Sequence, residues 1–358
     1  MTNTPIRWRA VLAAAVLAAS AGSAEAQTPV QFSTPDGSTS ISFGVLTQAL
    51  LQRDTADGVP STHDLCFRRL RFIGGGKLAS RVKLFVDSDT PYMGEHNAVW
   101  SMPATFLQDL IVTLEWKTAL QVDAGLLLVP GSYNGTQSAA SLLAVGYGPY
   151  SFLASAPTHS RVGRDQGVQA RGYLAKSRLE YRVGAFRGVS KVDPSAPLRY
   201  VGRIAFHPFG AQTGFFYTGT THGKKKMLGI GASVDHQDRY TAYTADLFGE
   251  WPLRNGDTLT TQVDFTQYDG GRTFTQLPKQ HTFMVEGSYC RRRIGAFAQV
   301  ARQDIAEFGR ADASALQVGM LYWAKGHRRN VKLGIGRTMK DRTPAHTQVL
   351  VQSQLFIF

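Results

Sequence analysis

Arginine and lysine alternate with apolar residues along much of this chain. The sequence holds 39 Lys and Arg against 26 Asp and Glu, for a formal net charge of +13. Within residues 67–87, Arg69 and Arg71 alternate with Leu70 and Phe72. Side chains on a strand point alternately to its two faces. This stretch therefore predicts a β-hairpin with one apolar face and one cationic face.

A cationic face of this kind could select anions. The guanidinium group presents a planar fork of donors that matches carboxylate and phosphate oxygens, and it stays protonated in proteins. Rings or ladders of Arg and Lys are how anion pores select their solutes. If the apolar side of each strand faces lipid, the strands and one long loop offer these candidate pore-lining cations: Arg69, Arg71, Lys77, Arg81, Lys83, Arg161, Arg164, Arg171, Arg178, Arg182, Arg199, Arg203, Arg293 and Lys332.

The same arginines have a structural alternative. Inward arginines can pair with inward acids and stiffen a barrel wall, and Arg178, Glu180 and Arg182 alternate on one predicted strand. The inward acids expected from the alternation are fewer: Asp87, Asp165, Glu180, Asp246, Glu250, Asp264 and Glu286. Both roles stay open for each arginine, and only the collective excess of cations favours an anion-selective bore.

About sixteen short segments must position these side chains. Each alternates hydrophobic with polar residues between turn signals, and the segments are 41–53, 66–77, 80–89, 107–116, 118–129, 165–174, 178–187, 199–207, 225–235, 240–251, 258–268, 281–290, 293–303, 313–323, 328–338 and 346–358. Most connectors alternate short and long, as in an outer-membrane barrel. Connector 208–224 is long where a short turn is due, which leaves room for an extra strand. The pattern predicts an all-β transmembrane barrel of about sixteen antiparallel strands over residues 39–358.

The longest connector, residues 130–164, is rich in Gly, Ser, Ala and Tyr. Compact domains rarely keep so long a loop without a use. We predict that it folds into the barrel as a constriction loop, the alternative being a disordered surface loop. Its cations are Arg161 and Arg164, and it contains no lysine.

The first residues resemble a secretory signal. Arg7 and Arg9 precede the apolar run 10–19, and Ala24 and Ala26 supply small residues for cleavage. This arrangement predicts a signal peptide over residues 1–26, followed by a short periplasmic segment over 27–38. The apolar run is too short to span about 30 Å of hydrocarbon as a helix.

Several other functions have little support. No GxSxG, HExxH or CxxC motif is present, so we predict no enzyme activity, no cofactor and no metal. The basic residues follow strand patterns instead of clustering in a nucleic-acid-binding module. Cys66 and Cys290 are predicted to be free thiols. Trp116, Trp251 and Trp323 stand at strand ends, which predicts a girdle at the membrane interfaces.

In the order of its strands and turns, the chain resembles the phosphate-selective porin O and P family of Gram-negative outer membranes. The similar stretches are FRRLRF, GKLASRVKLFVD, LQDLIVTLEW, LQVDAGLLLVP, GRDQGVQARGYLAKSRLEYRVGAFRG, YVGRIAFHPF, FFYTGTTHGKKKMLGIGASVD and QVLVQSQLFIF. The resemblance implies a sixteen-stranded channel, usually a homotrimer, that sits among outer-membrane lipid and lipopolysaccharide and passes small anions such as phosphate by diffusion. Two alternatives stay open: a porin for other solutes without anion selectivity, and a plugged barrel with a structural or adhesive role.

Overall fold

The computed structural model describes residues 29–95, 104–307, 311–341 and 343–358. The predicted signal peptide, residues 1–26, lies outside the described residues. The strands are β1 (Val30–Ser33), β2 (Ser40–Ala56), β3 (Val59–Ala79), β4 (Val82–Asp89), β5 (Phe106–Lys117), β6 (Leu120–Leu128), β7 (Arg164–Leu174), β8 (Leu179–Phe186), β9 (Arg199–Phe206), β10 (Met227–Gln237), β11 (Tyr240–Pro252), β12 (Asp257–Asp269), β13 (Gln280–Arg291), β14 (Ile294–Ile305), β15 (Ala313–Tyr322), β16 (Arg329–Lys340) and β17 (His346–Ile357).

Strands β2 to β17 form one closed antiparallel barrel. Each pairs with the next along the chain, and β17 pairs with β2 to complete the circle, from His346 opposite Ala56 to Ile357 opposite Val45. The short strand β1 pairs with β2 just beyond that point, with Val30 opposite Phe43. The predicted barrel of sixteen antiparallel strands is confirmed.

The wall is apolar outside and polar inside. Neighbouring residues on one strand show the contrast: Arg182 is 0% exposed and Val183 is 58% exposed, while Arg203 is 4% exposed and Ile204 is 54% exposed. A water-soluble domain buries its apolar residues and seldom buries an arginine. An exposed apolar band round a polar interior is the pattern of a barrel whose outer face meets lipid.

The two ends of the barrel have different connectors. At the terminal end, where the chain enters β2 and leaves β17, most connectors are short; at the opposite end, which we call the loop end, several are long. The predicted segments 41–53 and 66–77 leave a long connector at 54–65, and this prediction is wrong, because β2 and β3 continue to a two-residue turn at 57–58. Segment 208–224 adds no strand to the described chain, and it folds into the barrel as described below.

Among the described residues, helical structure is limited to a four-residue α-helix, α1 (Tyr133–Thr136), and short 3₁₀ turns in connectors. None of the helices in the described ranges is long and apolar enough to cross a membrane.

The seam between β2 and β17 provides a test of the closed barrel. A Cβ atom at Gly44 would overlap the backbone carbonyl of Ile357. We expect Gly44→Ala to lower the free energy of unfolding by roughly 1–3 kcal/mol, because a backbone group must move to admit the methyl group. The measurement is denaturant unfolding of the refolded protein in detergent.

Gly74→Ala is the matched control for this substitution. The nearest atoms to a Cβ at Gly74 belong to the Phe43 ring, at 3.6 Å, an ordinary van der Waals contact. Equal losses of stability in the two variants would contradict the seam described here.

Candidate functional site

The long loop between β6 and β7, residues 129–163, lies inside the barrel; we call it the inward loop. Its backbone or side-chain groups bond to wall residues Asp264 on β12, Glu286 on β13, Gln317 on β15, Lys332 on β16, Gln354 on β17 and Gln48 on β2. Lys332 is buried and donates to the carbonyls of Leu142 and Ala144. The loop therefore follows the inside of the wall from β12 round to β2.

A second segment enters the barrel from the terminal end. It is the connector between β9 and β10, residues 207–226, which we call the inward connector. Tyr217 accepts a hydrogen bond at its carbonyl from the Ser138 amide (2.8 Å) and donates its own amide to the Thr136 carbonyl (3.2 Å). Backbone hydrogen bonds thus join the inward loop to the inward connector.

An aromatic stack fixes both segments to the wall. The Tyr133 ring of the inward loop lies between Tyr217 of the connector, at 4.4 Å, and Phe248 of β11, at 4.2 Å. Burial raises the pKa of both tyrosine hydroxyls, so the stack is uncharged at neutral pH.

Three arginines lie side by side on neighbouring strands beneath the connector. Arg171 on β7 is opposite Arg182 on β8, which is opposite Arg203 on β9; we call them the arginine row. Like charges directly opposite one another destabilise a sheet, so each needs a counter-charge. The partners are Asp123 for Arg171 (2.7 Å), Glu180 for Arg182 (2.7 Å) and Asp246 for Arg203 (2.9 Å).

Glycine 231 makes the last of these ion pairs possible. Arg203 stands on β9 and Asp246 on β11, so the guanidinium must cross the intervening strand β10. A Cβ at Gly231 would overlap Nη2 of Arg203. The glycine leaves the space through which this arginine reaches its carboxylate.

The inward connector covers most of the arginine row. Arg182 donates to the Phe215 carbonyl (2.8 Å), and its guanidinium lies 4.9 Å from the centre of the Tyr217 ring. Arg203 donates to the Tyr217 hydroxyl (3.2 Å), and that hydroxyl donates to Glu180 (2.9 Å). The inward connector thus packs against arginines that are each paired with a carboxylate.

Other predicted pore cations are also buried in ion pairs. Arg71 bonds to Asp87 and Asp89, both at 2.9 Å. Arg164 makes a two-point contact with Asp109 at 3.2 and 3.0 Å. Arg199 bonds to Asp235 (2.8 Å) and lies 3.4 Å from Asp165. For these arginines the geometry matches the structural alternative, in which inward acids stiffen the wall.

Sequence reasoning missed several of the acids. Asp109, Asp123 and Asp235 were not among the expected inward carboxylates, although the alternation contained the signal. Each is next to an outward apolar residue on its own strand and therefore faces inward: Asp109 is next to Leu110, Asp123 is next to Val122, and Asp235 is next to Val234. Adding them removes much of the cationic excess that the sequence had suggested for the wall.

The remaining predicted cations are scattered. Arg81, Arg178 and Arg293 are exposed and lie in turns at the terminal end, so the expectation that they point inward from strands is wrong. Arg161 is exposed at the loop end, with its guanidinium 3.9 Å from the centre of the Phe106 ring. Arg69 is buried; it donates to Gln48 (2.6 Å) and lies 5.6 Å from the centre of the Tyr147 ring.

A cavity of about 730 Å³ remains between the two inward segments and the wall of β2 to β7. Its charged lining comprises Arg71, Lys77, Lys83, Asp87, Glu115, Arg164 and Arg171. Lys77 and Lys83 face each other in register, and Lys83 forms an ion pair with Glu115. The exposed fraction of the side chain falls from 55% at Lys83 to 6% at Arg71, so the cavity opens toward the terminal end.

A histidine cluster ties the inward connector to the terminal end of the barrel. His222 of the connector contacts His327 and Trp323, which lie between β15 and β16, with ring centres 4.5 and 4.8 Å apart. His327 donates from Nε2 to the Thr220 carbonyl (2.8 Å). Burial lowers the pKa of both histidines, and with help from His222 it lowers that of His327 to about 3.

The predicted position of Trp323 is wrong. The sequence predicted it at a membrane interface, but it is only 3% exposed and packs inside against Leu143, Phe297 and Leu321. Trp116 is exposed, as expected. Both cysteines are free thiols, as predicted.

Comparison with known proteins finds similarity in structure alone. No family model matches the chain, and neither does any curated protein sequence. Among solved structures, an anion-selective porin from Comamonas acidovorans aligns with a TM-score of 0.64 at 12% identity, covering 89% of this chain and 100% of that one. The fold is that of the outer-membrane porins.

Two further porin-fold structures align over similar lengths. OmpF of Salmonella typhi, solved with daunomycin, gives a TM-score of 0.59 at 11% identity and covers 91% of this chain and 100% of its own. OmpT of Vibrio cholerae, an outer membrane protein in a trimer form, gives 0.55 at 10% identity, with 88% and 99% covered. The narrower resemblance to the phosphate-selective O and P family stays a prediction.

The arginine row gives a stability prediction. Glu180 accepts hydrogen bonds from Arg182 and Tyr217 and contacts His207. We expect Glu180→Gln to lower the free energy of unfolding by about 3–5 kcal/mol, because it leaves a buried guanidinium without its counter-charge. Tryptophan fluorescence during denaturant unfolding in detergent measures this loss of stability.

Glu115→Gln is the control, because it breaks a partly exposed ion pair. It should lower the free energy of unfolding by about 1 kcal/mol or less. A similar loss in both variants would contradict the role of Glu180 as the counter-charge of Arg182.

The histidine cluster predicts that acid loosens the inward connector. Its histidines have lowered pKa values in the folded state, so their contribution to stability is present above the ordinary pKa near 6.5 and declines as the pH falls toward 3. For His327, opening of residues 207–226 should become about tenfold more favourable per pH unit between pH 6.5 and its folded pKa of about 3, and His222 adds to this in the same direction. Amide hydrogen exchange, corrected for intrinsic rates, measures the change.

His327→Phe is the informative variant for this prediction. It keeps a buried ring and removes the histidine whose pKa is lowered to about 3, so the acid dependence of exchange in 207–226 should weaken. An unchanged dependence would rule out the cluster as its origin.

Proposed function

We propose that this chain is a porin that is exported with a cleaved signal peptide and inserts into the outer membrane of a Gram-negative bacterium. There it forms a water-filled channel for passive diffusion of small anions such as phosphate. The porin fold and the exposed apolar outer face support the membrane location. A homotrimer among lipid and lipopolysaccharide is the proposed assembly, and the trimer form of the similar Vibrio cholerae protein supports it.

The observation that carries the anion preference is one unpaired lysine in the described lining of the cavity. The lining of the cavity includes five cations and two carboxylates. Arg71, Arg164 and Arg171 are held by acids, but Lys77 forms no ion pair within the described part of the chain. An unpaired ammonium beside the open end supplies a weak, rapidly reversible site for an anion, and weak binding lets a solute leave again.

The inward loop is the proposed constriction of this channel. Its bonds to β12, β13, β15, β16, β17 and β2 lie along that part of the wall, so solutes would travel past β3 to β6. There the proposed path runs from Lys77 and Lys83 toward Arg71 and Arg164.

One observation favours a second candidate, a plugged barrel with a structural or adhesive role. The inward loop and the inward connector are joined by backbone hydrogen bonds and stacked rings, so together they fill much of the interior. Conductance separates the candidates, because a plugged barrel gives no current steps in a planar bilayer.

We expect the reconstituted protein to conduct, with reversal potentials in a KCl gradient that report more chloride than potassium permeability. Replacing both Lys77 and Lys83 with Gln should shift the permeability ratio toward unity, because two positive charges leave the cavity. The control replaces Lys279 and Lys340, exposed cations at the loop end, and should leave the ratio unchanged. Absence of conductance would favour the plugged barrel, and a wild-type ratio near unity would favour a general porin.

A further inference from the structure

Phenylalanine rings form a continuous strip along the same cavity. Phe215 contacts Phe216 with ring centres 4.8 Å apart, Phe216 contacts Phe85 at 5.3 Å, and Phe85 contacts Phe358 at 5.9 Å, all edge to face. The four residues, which we call the phenylalanine strip, come from the inward connector, β4 and the end of the chain. All four line the cavity and are half-buried.

The strip lies beside the cations of the cavity. Lys83 and Phe85 share one face of β4, and Lys77 stands opposite Lys83 on β3. The Arg171 guanidinium is 5.7 Å from the centre of the Phe215 ring. Positive charge and exposed aromatic surface therefore border one volume.

A path for inorganic anions alone does not explain these rings. Polar groups line the water-filled interior of a porin, and apolar surface left facing water is unfavourable. Ligand pockets, by contrast, combine mostly apolar walls with a few placed polar groups in volumes of roughly 300–1,000 Å³. The cavity of about 730 Å³ falls within that range.

We propose that this cavity is a binding site for small carboxylates that carry an aromatic ring, with benzoate as the simplest member of the class. The carboxylate lies at Lys77, which has no ion-pair partner in the described chain, and the ring packs against the phenylalanine strip. This proposal deepens the proposed channel function and rests on it for the route by which the solute arrives.

Binding to the full chain refolded in detergent tests the site without a membrane. Isothermal titration with benzoate, acetate and benzyl alcohol separates the contributions of ring and charge. We expect benzoate to bind at least about tenfold more tightly than acetate, as aromatic contacts of this size allow, and more tightly than benzyl alcohol. Equal affinity for benzoate and acetate would overturn the proposal.

Variants assign the two halves of the ligand. Phe216→Ala should weaken benzoate binding by about tenfold and leave acetate binding unchanged, while Lys77→Gln should weaken both. Phe85→Leu keeps apolar volume and provides a second test if the connector variant fails to refold. Phe209→Ala is the control, because that exposed ring lies under Lys226, outside the strip. Unchanged benzoate affinity in a folded Phe216 or Phe85 variant would refute the site.

The binding assay and the conductance assay fail independently. Benzoate binding by a barrel without conductance would keep the site and refute the channel. Conductance of chloride with no preference for benzoate over acetate in the titration would keep the channel and refute the site.

Discussion

Charge inside the barrel must be neutralised before anything can pack upon it, and this constraint organises the interior. The arginine row presents three adjacent guanidinium groups on β7, β8 and β9, each held by a carboxylate. Removing ions from water is costly unless partners and further hydrogen bonds compensate. Once paired, the guanidinium groups still have free flat faces and unused N–H donors. Phe215 lies beside Arg171 and accepts a hydrogen bond from Arg182, and Tyr217 contacts Arg182 and Arg203. The inward connector is thus placed by electrostatics in the wall as much as by its own sequence.

The interior that results is asymmetric. The inward loop and the connector cover the wall from β8 round to β2, where hydrophobic clusters form around Leu143, Val145 and Tyr133. The wall from β3 to β6 keeps its polar side chains next to open volume. The strand pattern therefore does not distinguish a buried arginine on the covered side from an accessible lysine on the open side, although their roles differ.

The strand pattern predicted most of the architecture and little of the interior. Period-two alternation is a local property, and it located all sixteen barrel strands, most of them to within a few residues, although β3 begins seven residues earlier than predicted. The same alternation places Asp109 and Asp123 on the inward face, although they were not among the expected inward acids. Arg178 and Arg293 were misplaced because the strands begin one residue later, which leaves these arginines in turns.

The path of residues 207–226 into the barrel has no local signal in the sequence. It depends on contacts with Arg182, Arg203 and Tyr133, which are distant in sequence. Trp323 turned inward for the same reason, to pack on the inward loop.

The seam of the barrel has a consequence for the order of assembly. Gln48 and Gln354, on the first and last barrel strands, bond to each other at 2.7 Å and also to the carbonyls of Ala139 and Ala140 in the inward loop. These bonds can form together only when the two ends of the sheet meet. The loop therefore holds both strands of the seam, and this part of its packing inside the barrel depends on closure of the sheet.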